Sequence, residues 1–123
     1  MCLLISDPIL TPHLLPASPP MQDWPFGDGD PPPSHVVNEW LVLVHDRVKK
    51  DPNGCIAIHC VAGLGRAPVL VAVALLEAGL EAEDVVEYIR GQRRGAINSR
   101  QLKFLQKYQP KSGKSGKCGC FIM

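Results

Sequence analysis

The residues of this chain best suited to chemistry are a cysteine and an arginine six positions apart. Cys60 and Arg66 enclose a short stretch that contains two glycines, Gly63 and Gly65. A thiolate is a strong nucleophile, and a guanidinium fork matches two oxygens of a phosphate group. Because glycines let a loop turn several backbone N–H groups onto an anion, the pattern predicts a phosphate-binding loop in which Cys60 attacks phosphorus.

We call residues 60–66 the phosphate loop. The spacing alone is weak evidence, because the ordinary fates of its two end residues are a buried thiol and a surface charge. The position of the phosphate loop between an apolar run and a helical pattern strengthens the evidence. A helix N-terminus attracts anions and would also stabilise the Cys60 thiolate. His59 either orients the loop or is an ordinary structural histidine. The residues expected to bind phosphate are Val61, Ala62, Gly63, Leu64, Gly65 and Arg66.

Three aspartates upstream could supply the proton that a departing phenolate needs. They lie among glycines and prolines in residues 23–31, which we call the acid loop. Transfer of a phosphoryl group from tyrosine requires such a proton donor. We prefer Asp28, which lies two positions beyond Phe26, an aromatic residue that could fasten the loop; Asp30 is the second choice and Asp23 the remaining candidate. The alternative, that these acids only form turns, stays open.

Periodicity and turn signals predict the elements that position the two loops. Nine of the twelve prolines lie in residues 1–33, so the start of the chain should be mostly irregular, with at most a few strand residues near its beginning. An apolar run from Cys55 to His59 predicts a buried strand before the phosphate loop. Helical spacing predicts four helices, from Ser34 to a break at Asp51, from Ala67 to Ala78, from Glu81 to Arg90, and from an Asn98 capping box to near Pro110.

Composition fits one domain at residues 23–110, between a Pro-rich segment at 1–22 and a basic tail at 111–123. The chain has 123 residues, of which 46% are hydrophobic. From Tyr88 onward there are nine basic residues and no acid, which indicates an anionic partner. An anionic membrane is preferred to nucleic acid, because no nucleic-acid-binding signature is present.

The cysteine count and the length of the apolar runs indicate the cellular environment in which the protein works. Five cysteines, an odd number, and the absence of a secretory leader predict a reducing, cytosolic environment. The longest apolar run is shorter than a membrane-spanning helix requires. No cofactor and no metal are expected.

The last four residues, Cys120 to Met123, match a prenylation box, and the terminal methionine predicts a farnesyl group on Cys120. Lys111, Lys114 and Lys117 would supply the basic second signal that one lipid chain needs for stable attachment. Cys118 is either a palmitoylation site or a bystander thiol. These features predict a peripheral, lipid-anchored protein.

Several motifs together resemble one known family. They are Asp-Trp-Pro-Phe near Asp28, the run from His59 to Pro68, the segment Arg-Arg-Gly-Ala-Ile-Asn-Ser at residues 93–99, and the prenylation-type end. They resemble the phosphatases of regenerating liver, or type IVA protein tyrosine phosphatases, over residues 23–110. The resemblance implies an α/β dual-specificity phosphatase fold with helices flanking a central sheet. It also implies Cys60 as nucleophile, Arg66 as phosphate binder and Asp28 as general acid.

The resemblance implies hydrolysis of phosphotyrosine, or of phosphoinositides, through a phosphocysteine. It places the protein at the cytoplasmic face of the plasma membrane and early endosome, or in the cytosol or nucleus when unprenylated. Ala67 stands where most related phosphatases carry a hydroxyl that assists breakdown of the intermediate, which implies slow turnover. The alternative function is therefore a catalytically weak module that binds CNNM-type magnesium transporters or other membrane proteins.

Two departures from the family are visible. Gly27 replaces an aspartate that is usual there, which would alter the electrostatics of the acid loop. Residues 1–22 do not resemble the strands that precede this loop in the family, so we expect a reduced sheet, low stability and little activity. The family's disulfide partner of the nucleophile lies in that missing region; Cys55 would be roughly 16 Å from Cys60, too far to replace it, and Cys2 is left as an unsupported candidate.

Overall fold

The structure, a computed structural model, describes residues 22–111 and the backbone of a strand at residues 2–5. The predictions for Cys118, Cys120, Lys114 and Lys117 lie outside the described residues. The elements in chain order are β1 (Cys2–Ile5), α1 (Ser34–Lys50), β2 (Cys55–Ile58), α2 (Arg66–Glu77), α3 (Ala82–Gln92) and α4 (Ser99–Lys107).

The four predicted helices are confirmed, each to within three residues at either end. Helix α2 lies at the centre of the core, and every residue from Ala67 to Leu76 is buried. An almost wholly apolar helix becomes buried on all sides because none of its faces is suited to water. The other helices each contribute an apolar stripe to the same core.

Trp40 is the largest contribution of α1 to this core. Its ring is almost completely buried, and its indole Nε1 donates a hydrogen bond of 2.7 Å to the carbonyl oxygen of Leu70 in α2. A buried indole N–H needs such an acceptor. The Trp40 side chain therefore holds α1 against α2 in two ways, by this hydrogen bond and by the apolar area that it buries.

The two strands form a parallel sheet in which Cys2 lies opposite Cys55 and Ile5 opposite Ile58. The segment predicted to be mostly irregular thus contains a four-residue strand, as the expectation of a few strand residues near the start allowed. The register also bears on Cys2, because it places that residue at the end of the sheet away from Cys60. Because Cys2 lies opposite Cys55, five strand residues of about 3.3 Å each separate it from the level of Cys60. That distance is beyond the reach of a disulfide.

The prediction that β2 is buried is wrong for most of its length. Only Ile58 is buried; Ile56 and Ala57 are half-buried, and Cys55 is exposed. Within the described residues the sheet has two strands, so one edge of β2 has no neighbouring strand. Ile58, at the end of β2 next to α2, belongs to the buried core, and Ile56 packs against it. The described helices are all too short or too polar to cross a membrane.

Candidate active site

The phosphate loop connects the buried end of β2 to the first residue of α2. The backbone N–H of Gly63 points back at Cys60 and donates a hydrogen bond of 3.2 Å to its Sγ. Gly63 has a φ of 70°, in the left-handed region that glycine adopts without the steric cost of a side chain. This turn brings a backbone donor onto the sulfur of the proposed nucleophile.

Arg66 presents a buried donor that has no acceptor. Its side chain is 27% exposed, and its Nε has no hydrogen-bond partner among the described residues. Oδ1 of Asp28 lies 3.7 Å from this Nε, close enough for an ion pair and too far for a hydrogen bond. A buried donor left without an acceptor costs free energy, and an oxyanion bound in the loop would satisfy it.

The acid loop approaches the phosphate loop through Asp28. A Cβ atom built on Gly65 would lie 3.3 Å from Oδ1 of Asp28, so glycine at position 65 permits this close approach. The Asp28 side chain is still 73% exposed, which leaves its carboxyl group open to a bound substrate.

Asp30, the second candidate for the general acid, faces a different residue. Its Oδ1 accepts a bond of 2.8 Å from Nη1 of Arg100. The structure thus brings Asp28, and not Asp30, to Arg66 and the phosphate loop.

The fastening of the acid loop involves a residue that the sequence did not single out. Trp24 donates from Nε1 to Oε2 of Glu39 at 2.7 Å and packs edge-on against Trp40, with ring centroids 6.0 Å apart. Phe26, the expected fastener, also packs against the core. Both aromatic side chains therefore tie the start of the loop to α1 and its surroundings.

The segment that precedes and opens α4 contacts both loops. The backbone N–H of Ile97 donates to the carbonyl of Leu64 at 2.8 Å, and Nδ2 of Asn98 donates to the carbonyl of Gly29 at 2.9 Å. The predicted capping box is confirmed, with both bonds between Asn98 and Gln101 present. Gln101 is completely buried, and its Nε2 lies 3.5 Å from the carbonyl oxygen of Asp30. The sequence identified this segment as a helix start and as part of the family resemblance, but gave no sign that it contacts both loops.

The remaining residues of the phosphate loop form an open, apolar rim. Val61 is 78% exposed and Leu64 is 40% exposed, whereas Cys60 is half-buried. His59 is exposed, and Ala67 is buried at the start of α2. A phosphate ester could therefore reach the sulfur from solvent while its organic group contacts apolar side chains.

This arrangement combines a thiol, a cation and a carboxyl group at one helix N-terminus. The thiol can attack phosphorus, the loop N–H groups and Arg66 can hold phosphate oxygens, and Asp28 is placed to exchange a proton. Among the described residues no group of three metal-ligating side chains is found.

Known proteins share both the sequence and the fold of this chain. The protein-tyrosine phosphatase family matches residues 19–109. The human protein tyrosine phosphatase type IVA 3 is 61% identical over 89 residues, which are 72% of this chain and 51% of the relative. The PRL-1 phosphatase of Drosophila melanogaster is 56% identical over 92 residues, 75% of this chain and 52% of the relative. The chain thus spans about half the length of these curated relatives.

A solved structure gives the same result for the fold. It is named as a protein tyrosine phosphatase of Leishmania major, is 35% identical, and superposes with a TM-score of 0.62 over 87% of this chain and 86% of that one. The expected phosphatase-like fold with a reduced sheet is confirmed by this likeness and by the sheet of two strands that the described residues form. The family match over most of the chain and the type IVA relatives confirm the resemblance, and the chain belongs to the protein-tyrosine phosphatase family.

Proposed function

We propose that this chain hydrolyses phosphotyrosine in proteins through a phosphocysteine formed on Cys60. The observation that carries the proposal is the buried Nε of Arg66, which has no acceptor among the described residues. Arg66 ends the same loop in which the Gly63 N–H bonds the Cys60 sulfur. A bound phosphoryl group would satisfy Arg66 and bring phosphorus to the nucleophile at the same time.

The reaction has two chemical steps. In the first, the Cys60 thiolate attacks phosphorus, the bond from phosphorus to the phenolic oxygen breaks, and Asp28 gives its proton to that oxygen. In the second, water attacks the phosphocysteine, phosphate leaves, and the thiolate is regenerated. The phosphate loop and Arg66 stabilise the charge on the transferred group in both steps.

Steady-state phosphate release from a phosphotyrosine peptide tests this assignment. Cys60→Ser should abolish release, because a hydroxyl in the same place is not ionised. Cys55→Ser is the matched control, since it makes the same change at the far end of β2, and it should retain the parental rate. Phosphate release that survives Cys60→Ser would refute the assignment of Cys60 as the nucleophile.

A binding role is the second candidate, and the apolar rim favours it. Val61 and Leu64 are exposed beside the nucleophile, and Ala67 offers no hydroxyl to speed breakdown of an intermediate. A long-lived phosphocysteine would suit a protein that binds partners, such as CNNM-type magnesium transporters, more than it turns over. Ala67→Ser should raise the steady-state rate if breakdown limits it, and no gain would mean that another step does.

We also propose that the chain is anchored to membranes through a farnesyl group on Cys120 and its basic tail. The tail starts from a fixed point, since Glu77 accepts bonds from the Tyr108 hydroxyl at 2.5 Å and from the Lys111 N–H at 2.9 Å. The Lys111 ammonium group also donates to Asn38. Glu77 ends α2, so the tail begins at the end of this helix opposite to the phosphate loop.

Fractionation of cells tests the anchor. Cys120→Ser should move the protein from membranes to the cytosol, whereas Cys118→Ser is the matched control and should leave a farnesylated chain on membranes. Changing Lys111, Lys114 and Lys117 to Gln should weaken attachment, because each basic residue near an anionic surface contributes about 1 kcal/mol. An unchanged distribution of Cys120→Ser would refute the anchor.

A further inference from the structure

Two contacts tie the acid loop to the beginning of α4. The guanidinium of Arg100 donates to the carboxylate of Asp30 at 2.8 Å, and the Asn98 side chain donates to the Gly29 carbonyl at 2.9 Å. Gly29 and Asp30 directly follow Asp28, so both contacts act within two residues of the proposed general acid. Neither contact involves a residue of the phosphate loop.

Gly27 is part of the same arrangement. A Cβ atom at position 27 would lie 2.3 Å from Oδ2 of Asp30, so a side chain there would force the Asp30 carboxylate to move. The Asp30 N–H also bonds the Gly27 carbonyl at 3.1 Å, which closes a turn around Asp28. The absence of a side chain at Gly27 therefore allows Asp30 to point at Arg100.

The segment that holds the acid loop also holds the phosphate loop. Ile97 donates to Leu64, and the buried Gln101 amide lies 3.3 Å from the position that a Cβ on Gly65 would occupy. One short segment, residues 97–101, thus contacts both loops, mainly through its side chains on the acid loop and through the Ile97 N–H on the phosphate loop. A change in its hold on the acid loop would move Asp28 relative to Cys60 without altering the phosphate loop.

We propose that Asp30 and Arg100, assisted by the bond from Asn98 to Gly29, are positioning residues that hold Asp28 over the phosphate loop while the leaving group departs. This inference rests on the proposed phosphatase function. The Arg100 and Asp30 side chains are 73% and 48% exposed, so salt screens their attraction and the effect of losing it is modest. Losing this ion pair should slow only the step that needs a proton from Asp28.

Hydrolysis of aryl phosphates with different leaving groups separates positioning from a general loss of structure. Arg100→Gln should lower kcat/KM by about two- to five-fold for esters of weakly acidic phenols, the range that loss of an exposed ion pair allows. It should leave esters of strongly acidic phenols unchanged, because these leave without a proton. Lys103→Gln removes the same charge one turn further along α4 and is the matched control, and Arg100→Lys should restore most of the rate. An equal loss for all leaving groups would overturn the proposal.

Hydrogen–deuterium exchange of the acid loop provides a readout that needs no catalysis. Arg100→Gln should speed exchange of the Asp30 amide by about two- to five-fold relative to the parent, and Lys103→Gln should not. The difference should shrink in about 1 M NaCl, where charges are screened within about 3 Å. Unchanged exchange in Arg100→Gln would overturn the proposal whatever the activity. If Arg100→Gln speeds exchange as expected but the parent releases no phosphate, the result would support the contact and count against the proposed function.

Discussion

The carboxylate of Asp28 and the Nε of Arg66 face each other at 3.7 Å, with no hydrogen bond between them. The separation leaves the guanidinium ready for an anion that approaches between the two side chains. It also brings the proposed acid to the phosphate binder before any substrate is present. Pre-arranged charges of this kind avoid reorganisation during the reaction.

Oxyanion binding should therefore depend on Arg66. We expect vanadate to stabilise the parent against thermal unfolding, by about 2.7 kcal/mol at a hundred times its Kd. Arg66→Lys should weaken vanadate binding at least about tenfold, because an ammonium group cannot make the paired bonds of a guanidinium. Arg93 and Arg94 lie outside the loop, and an equal effect of Arg94→Lys would contradict the assignment.

The two candidate acids should respond differently to removal of their charge. Asp28→Asn should reduce kcat/KM for esters of weakly acidic phenols by about 10²- to 10⁴-fold, the usual contribution of a general acid. Asp30→Asn should cost only the few-fold loss expected of a positioning residue. Asp23→Asn is the control in the same loop. If Asp30→Asn proved as damaging as Asp28→Asn, the roles would have to be exchanged.

Two glycine-to-alanine changes should have opposite effects on stability. Gly63 has a φ of 70°, and alanine there should lower the free energy of unfolding by about 1–2 kcal/mol and distort the phosphate loop. Gly91 lies in the last turn of α3, and among the described residues no atom outside that helix's own backbone comes within 4 Å of a Cβ built on it. Alanine there should raise the free energy of unfolding by up to about 1 kcal/mol. Urea unfolding of the two variants measures the difference, and a destabilised Gly91→Ala would contradict the description of α3.

Stability at high pH should depend on Tyr108. Burial and the bond to Glu77 raise the pKa of Tyr108 above its ordinary value of 10.0. The folded state then holds this proton more tightly than the unfolded state, so the stabilisation is complete below pH 10.0 and is lost as the pH rises above it. The free energies of unfolding of the parent and Tyr108→Phe should converge in that range. A difference between the two proteins that stays constant as the pH rises above 10.0 would contradict this account of Tyr108.

The sequence predicted the helices well because each helix carries its own signals. The apolar period of α1, the all-apolar run of α2 and the capping box of α4 are local and need no partner to be recognised. Strand β1 was harder to predict, since it has only four residues and is followed by prolines. Its pairing with β2 depends on the fold of the residues between them.

Sequence reasoning reached the candidate residues where the motif is contiguous and missed the contacts that join distant parts of the chain. Cys60, Arg66 and Asp28 could be singled out from residue type and spacing. The hold of Arg100 on Asp30 could not, because the two residues are far apart in the chain and meet only after α4 packs. Gly27 was interpreted only as an electrostatic change; the structure adds a steric effect, since a side chain there would displace the Asp30 carboxylate.

The most direct test of the whole account is to trap the phosphocysteine. The purified full chain is mixed briefly with a phosphotyrosine peptide, quenched in acid, and digested for mass spectrometry. We expect one phosphoryl group on the peptide that contains Cys60, and none in the Cys60→Ser or Arg66→Lys proteins. The slow breakdown predicted for Ala67 should make the adduct easy to detect, and Ala67→Ser should reduce its amount. Phosphate released with no adduct on Cys60, or an adduct on another residue, would contradict the account.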